Sequence, residues 1–318
     1  MIRFFSLLLG LALLAYLILH LGPGQILIML VSVGWTFLPV VLIYIGHQLV
    51  RAAALRQCIL TGSLSFVDVF SIRLSGETVQ YLTFTGPFLA EPTKAWLLRK
   101  RGLQTGEAFA AVIAEFLIYA FVSAVLALVG LAFLLRHFQT SRTVSNAVII
   151  IIGAMVAFLI VSAIAILLRF YLIGTIIERI SLLPLIRSRL QVDMGAVHRM
   201  EDLLLAVLRE RPFRLAGIAA IEMLAQALLI LEVYVILRAL NFYFPFLYPF
   251  LIESTTKFAS AAFFFIPGQV GATEGTYSVV FKILELSPAA GVALSLIRRM
   301  RSVLVAAVGL FVLSRTTS

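Results

Sequence analysis

The sequence is poor in charge and almost free of cysteine. Charged residues make up 13% of the chain and apolar residues 62%, with a mean hydropathy of +1.09. Soluble domains run near 25% charged and about 45–50% apolar, so a water-soluble globule is excluded. The apolar residues fall in long runs, not in the alternating segments of about ten residues that build a membrane β-barrel. That leaves a helical membrane protein. A single cysteine, Cys58, excludes an internal disulfide and a cysteine metal cluster; a core side chain is its plainest role. The histidines, His20, His47, His137 and His198, include no pair at i, i+3 or i, i+4, so no metal site is expected. Phosphate-loop, dinucleotide, nucleophile-elbow and zinc-protease motifs are missing too. No cofactor is implied, and the chain is expected not to be an enzyme.

What charge there is lies mostly outside the apolar runs. The net charge of +10 follows from cations in short loops, the pattern of the positive-inside rule, and no nucleic-acid partner is expected. Residues 4–21 form a first span after Arg3, read as retained and not cleaved. A second runs from about Ile26 to Val50, with Arg51 and Arg56 behind it. Both flanks put the N-terminus in the cytoplasm. Two uninterrupted apolar spans follow at about 107–135 and 146–168, joined by a loop with Arg136, His137 and Arg142 whose cations run against the rule. The polar stretch 169–213 is expected to be cytoplasmic, either an amphipathic helix on the inner leaflet or a solvated linker. Spans at about 214–240 and 246–266 come next, and the last, Ala289 to Leu313, carries Arg298, Arg299 and Arg301 near its middle. A charge at that depth costs roughly 2.5 kcal/mol or more and faces a bundle interior or a watery cavity.

Two regions are broken. The stretch 66–98 holds Asp68, Arg73, Glu77, Glu91 and Lys94 and is interrupted by Gly86, Pro87 and Pro92. Its second piece, 88–98, would be about 16 Å long as a helix, half of a ~30 Å hydrocarbon core, so it reads as a re-entrant half-helix. The stretch around Pro267, Gly268 and Gly271 repeats this: a helix with an acid (Glu77, then Glu253), a Pro/Gly break, then a glutamate (Glu91, then Glu274) opening a short apolar helix. Glu91 and Glu274 stand 183 residues apart. Paired, interrupted segments in corresponding halves are the best sequence pointer to a transporter's site.

These windows, GPFLAEPTKAWLL (86–98), IESTTKFASAAFFFIPGQVGATEG (252–275) and ALSLIRRMR (293–301), resemble the lysylphosphatidylglycerol synthase transmembrane-region family. The stretch from Glu222 to Leu310 is most similar to its hopanoid-biosynthesis-associated members. The resemblance implies a bacterial inner-membrane protein that binds or moves an amphiphilic lipid. Pro87, Glu91, Lys94, Pro267, Gly268, Gly271, Glu274 and Arg298 match family positions. Where the family has a Gly-Gly or Gly-Glu step followed by an arginine, this chain has Ala90-Glu91 and Lys94, a weaker bidentate phosphate ligand. The soluble aminoacyl-transfer domain of the multiple peptide resistance factor is not among these residues, so aminoacyl-lipid synthesis is not expected.

The expected architecture is all-α and polytopic, with about seven to eight spanning helices and two re-entrant or broken helices in pseudo-symmetric halves. Residues 1–318 form one membrane domain, with halves 1–168 and 214–318 joined by the linker 169–213. Substrate-binding candidates are Glu91, Lys94, Glu253, Glu274, Arg298 and Arg301, with membrane lipids as partners and a homo-oligomer allowed. A structural reading competes: buried Glu–Arg pairs can simply lock helices together, and lysines such as Lys94 and Lys257 can snorkel. Glu222 and Glu232, on about one helical face, carry the same two readings, and Arg299 points away from Arg298 and Arg301. The expected partner of Arg298 is Glu274 or Glu91, with both glutamates facing one cavity and the half-helix N-termini near Thr93 and Thr276 offering N–H groups to an anion. A lipid translocase heads the functional readings; a membrane transferase and a scaffold for lipid synthesis are the others.

Overall fold

The computed structural model describes residues 2–60, 64–83, 87–167, 194–210, 212–263 and 266–317. Among them there are twelve helices and no strand. In chain order they are α1 (Ile2–Leu21), α2 (Pro23–Ser32), α3 (Phe37–Cys58), α4 (Phe66–Leu82), α5 (Pro87–Lys100) and α6 (Thr105–His137), then α7 (Arg142–Leu167), α8 (Met194–Leu205), α9 (Pro212–Ala239), α10 (Leu247–Ala262), α11 (Ala272–Ile283) and α12 (Pro288–Thr317). Four of them open on proline: α2, α5, α9 and α12. At that position the missing N–H has no intrahelical partner to lose and φ is already helical. At α4 a polar cap does the same work: the Ser65 hydroxyl accepts the Asp68 N–H at 3.1 Å and donates to its carboxylate at 2.6 Å.

By length and composition α3 with its preceding turn, α6, α7 and α9 can each cross a membrane; α1 and α2, bent by 91° at Gly22, would make a fifth crossing. The chain is a polytopic all-α membrane protein. The expected span Ile26–Val50 is not one helix. It breaks between α2 and α3, where Gly34 takes φ +44 and a 3-10 turn covers Gly34–Thr36; an L side chain is strained at such a φ. Outward-facing apolar side chains such as Trp35, Leu19, Ile150 and Phe213 are exposed, as lipid-facing residues are. Only 6% of the apolar window of α7 is buried, against 50% for α3 and α9, so α7 is peripheral and α3 and α9 are central.

Two helical hairpins flank this centre. In the first, α4 and α5 fold back on each other. An ion pair between Asp68 and Arg101 ties the open ends, and the Lys94 stem lies across Gly76, where a Cβ would come within 2.5 Å of it. In the second, α10 packs on α11 across a break in which Gly268 (φ 59), Gln269 (φ 51) and Gly271 (φ 79) are left-handed. Proline 87 opens α5 and Pro267 opens a 3-10 turn, as the sequence predicts for a break. Gly86 lies outside the described residues. Pro92 is no break: it sits inside α5, past the first turn, and the helix runs on through it.

The order of elements repeats. A central helix, a hairpin and a long helix (α3, α4–α5, α6) return as α9, α10–α11, α12. The contacts repeat as well: α4 packs on α12 and α10 on α6, each hairpin against the long helix of the other half. At both crossings a glycine meets a small hydroxyl residue, Gly309 against Thr78 and Gly130 against Ser254. The two central helices pack on each other. Along that contact Gln57, Arg51 and His47 meet Arg214, Glu222 and Ala225, so α3 and α9 run antiparallel. Most of the linker 169–213 lies outside the described residues; its end, α8, packs on α6, with Leu204, Val207 and Leu208 in a core shared with α3, α5 and α6.

Candidate functional site

Each half buries a cluster of charge beside its own apolar core. The C-terminal cluster centres on α12. Arg298 donates through Nε and Nη2 to Glu232 of α9 at 3.1 and 2.9 Å, and through Nη1 to Glu253 of α10 at 2.7 Å and to the Tyr277 hydroxyl of α11. Arg301, one turn on, takes the other oxygen of Glu232 and lies 3.5 Å above the Tyr44 ring of α3; the Tyr44 hydroxyl donates to Glu77 of α4. Lys257 holds the second oxygen of Glu253 at 2.7 Å. Arg299 pairs with Glu274 at 2.8 Å, and the same Glu274 oxygen accepts from Ser295 at 3.2 Å. The other Glu274 oxygen accepts the Gly271 N–H at 2.7 Å, capping α11.

The N-terminal cluster centres on Glu115 of α6, which is wholly buried. Arg51 of α3 donates to it at 2.5 Å and Arg73 of α4 at 2.9 Å, with the Lys94 ammonium of α5 at 3.6 Å. Lys94 bonds Glu91 at 2.6 Å, and the Arg73 Nε donates to Gln48 at 3.2 Å. Arg51 Nε is 3.6 Å from Glu222 of α9, and its guanidinium lies 3.6 Å over the Tyr119 ring. Burial of charge on this scale is stable only because nearly every group is paired. Tyr44, His47 and Arg51 follow one another along α3 from the C-terminal cluster to the N-terminal one, and the two clusters form one polar belt between the apolar cores at either end.

Of the sequence candidates, Glu253, Glu274, Arg298 and Arg301 come together in the C-terminal cluster, while Glu91 and Lys94 belong to the N-terminal one. Glu91 and Glu274 thus sit in different clusters, not in one. The partners of Arg298 are Glu232 and Glu253, not Glu274 or Glu91. Glu274 belongs to Arg299, because one residue is a 100° turn of the helix and carries Arg299 toward the α11 cap. The half-helices begin at Pro87 and Ala272, earlier than Thr93 and Thr276, and the Gly271 N–H at the second start is already taken. Sequence reading missed Arg51, Arg73 and above all Glu115. Its one signal was a lone carboxylate 10 residues inside the apolar helix that begins at Thr105.

The family model for the lysylphosphatidylglycerol synthase TM region matches residues 3–309. The chain belongs to this family. Membership makes it a membrane protein acting on lipids. No curated protein and no solved structure matches the chain.

Proposed function

We propose that this family member is a lipid translocase without chemistry of its own, which holds the headgroup of an anionic amphiphile in the polar belt while the tails stay in the bilayer. One observation carries the reading. Arg298 and Arg299 are adjacent on α12, and their side chains are 14% and 23% exposed, the most open of the arginines in the belt. Each is held by carboxylates standing where the anionic oxygens of a headgroup would stand. Guanidinium forks match phosphate as they match carboxylate, so a phosphate can take the place of Glu274 on Arg299. The carboxylate then closes the site again when the lipid leaves.

The architecture supports transport. At 12 to 17 residues, the four hairpin helices are about 18–26 Å long, short of a ~30 Å core. We read both hairpins as re-entrant, entering from opposite faces of a bacterial inner membrane with the N-terminus and Arg99–Arg101 in the cytoplasm. The antiparallel halves then form an inverted repeat around a midplane site, the arrangement used for alternating access.

The test is purified protein in proteoliposomes with tail-labelled phosphatidylglycerol. Redistribution between leaflets, chemically unchanged lipid, and loss of most of that rate in Arg299→Ala are expected. Turnover of a labelled donor onto the lipid would establish a transferase instead.

A further inference from the structure

The acids named in the belt hold hydrogen bonds or close ion pairs, except Glu222, whose one ionic neighbour among the described residues stands off at 3.6 Å. Its side chain is fully buried, yet neither carboxylate oxygen receives a hydrogen bond among the described residues. The nearest cation, Arg51, gives its good donor to Glu115 and leaves Nε 3.6 Å from Glu222. Oε2 of Glu115 likewise lacks a donor, and both carboxyl groups face the same guanidinium, Arg51 Nη2 lying 2.5 Å from Glu115 and Nε 3.6 Å from Glu222. Two carboxylates cannot satisfy each other, because both only accept. One added proton changes that: protonated Glu222 donates to Glu115, and an orphaned oxygen on each side gains a partner.

The surroundings decide which state is held. The elements around Glu222 bring Arg51, His47 and Cys58 from α3, Arg73 from α4, and Lys94 with Glu91 from α5. They also bring Glu115 and Tyr119 from α6 and, on α9 itself, Arg214, while Lys257 of α10 and Arg301 of α12 lie further along α3, beside His47 and Tyr44. Lys257 and Arg301 are committed to Glu253 and Glu232. Within the N-terminal cluster Arg51, Arg73 and Lys94 face Glu91, Glu115 and Glu222, three charges of each sign. Neutralising one carboxyl leaves a single positive charge in excess.

We propose that the Glu115–Glu222 pair is a proton-binding site, and that its proton adds one positive charge to the polar belt that takes the anionic headgroup. The second half of this statement rests on the translocase reading; the first does not. Reciprocity follows from linkage: if the proton favours lipid, lipid favours proton uptake by the same factor. A proton gradient could then drive the cycle.

Infrared spectroscopy of the purified protein without added lipid tests the site alone. A protonated-carboxyl band should titrate between alkaline and acidic buffer and vanish in Glu222→Gln. Absence of a titrating band, or its survival in that variant, overturns the site. Because Glu222→Gln can fail to fold, proton uptake by the wild type on addition of phosphatidylglycerol micelles in weak buffer is measured beside it. Uptake, with binding at least tenfold tighter in acid, supports the coupling. A titrating band with pH-independent lipid binding overturns the coupling alone, and no lipid binding at any pH is a failure of the translocase reading instead.

Discussion

Arg298 makes four hydrogen bonds to three side chains on three helices. A lysine can satisfy one of those helices and not all, since an ammonium has no planar fork. Arg298→Lys is therefore expected to insert and fold with lowered thermal stability and to lose most lipid binding. Arg298→Ala leaves Glu253 and Glu232 short of a buried cation, a loss of about 3–5 kcal/mol that thermal unfolding in detergent would show. Full lipid binding by Arg298→Lys would make the arginine purely structural. At this scale the sequence was half legible. A cation in the middle of an apolar run announces itself, so Arg298 and Arg301 could be picked out. Which acid meets which arginine could not, because Glu232 and Glu253 come from other helices and a rotation of one residue sends Arg299 to a different partner than Arg298.

At the scale of elements, the crossings are set by missing side chains. A Cβ on Gly130 would stand 1.9 Å from the Ser254 hydroxyl, and one on Gly309 would stand 2.0 Å from the Thr78 hydroxyl and 2.8 Å from the Leu74 carbonyl. Overpacking of this kind costs about 1–3 kcal/mol. Gly130→Ala and Gly309→Ala should both lower the unfolding temperature. Ser254→Gly should restore the first, since only a side chain is in the way. Thr78→Ala should restore the second incompletely, because a backbone carbonyl remains; equal rescue would contradict the packing. The breaks themselves were legible: Pro87, Pro267, Gly268 and Gly271 mark turns by local chemistry. Pro92 misled because a proline is read locally, while α5 continues through it and is packed between α4 and α6. The bend at Gly34 escaped notice in a run of unbroken hydropathy.

For the molecule as a whole, the halves meet in opposite senses. With α3 and α9 antiparallel, a label that finds the end of α5 on one side of the membrane should find the end of α9 on the other. In a Cys58→Ser background, Lys100→Cys should resist an impermeant thiol reagent added outside intact cells, and Asn241→Cys should react. The reverse pattern would invert the assigned orientation, and reaction of both would remove the inverted repeat. The repeat shows in the sequence only as two breaks with similar neighbours; the exchange of hairpins between halves, which supports it, is a property of contacts far apart in the chain.

That exchange also fixes an order of assembly. The carboxylates that hold the arginines of α12 lie on α9, α10 and α11, all made earlier by the ribosome. Each arginine entering the bilayer unaided would cost roughly 2.5–3.5 kcal/mol, and α12 carries three near its middle. The acids are thus already in the membrane when the arginines leave the translocon, and the hairpin α4–α5 waits for α12. The nascent protein cannot mature one half at a time, because α12 closes both.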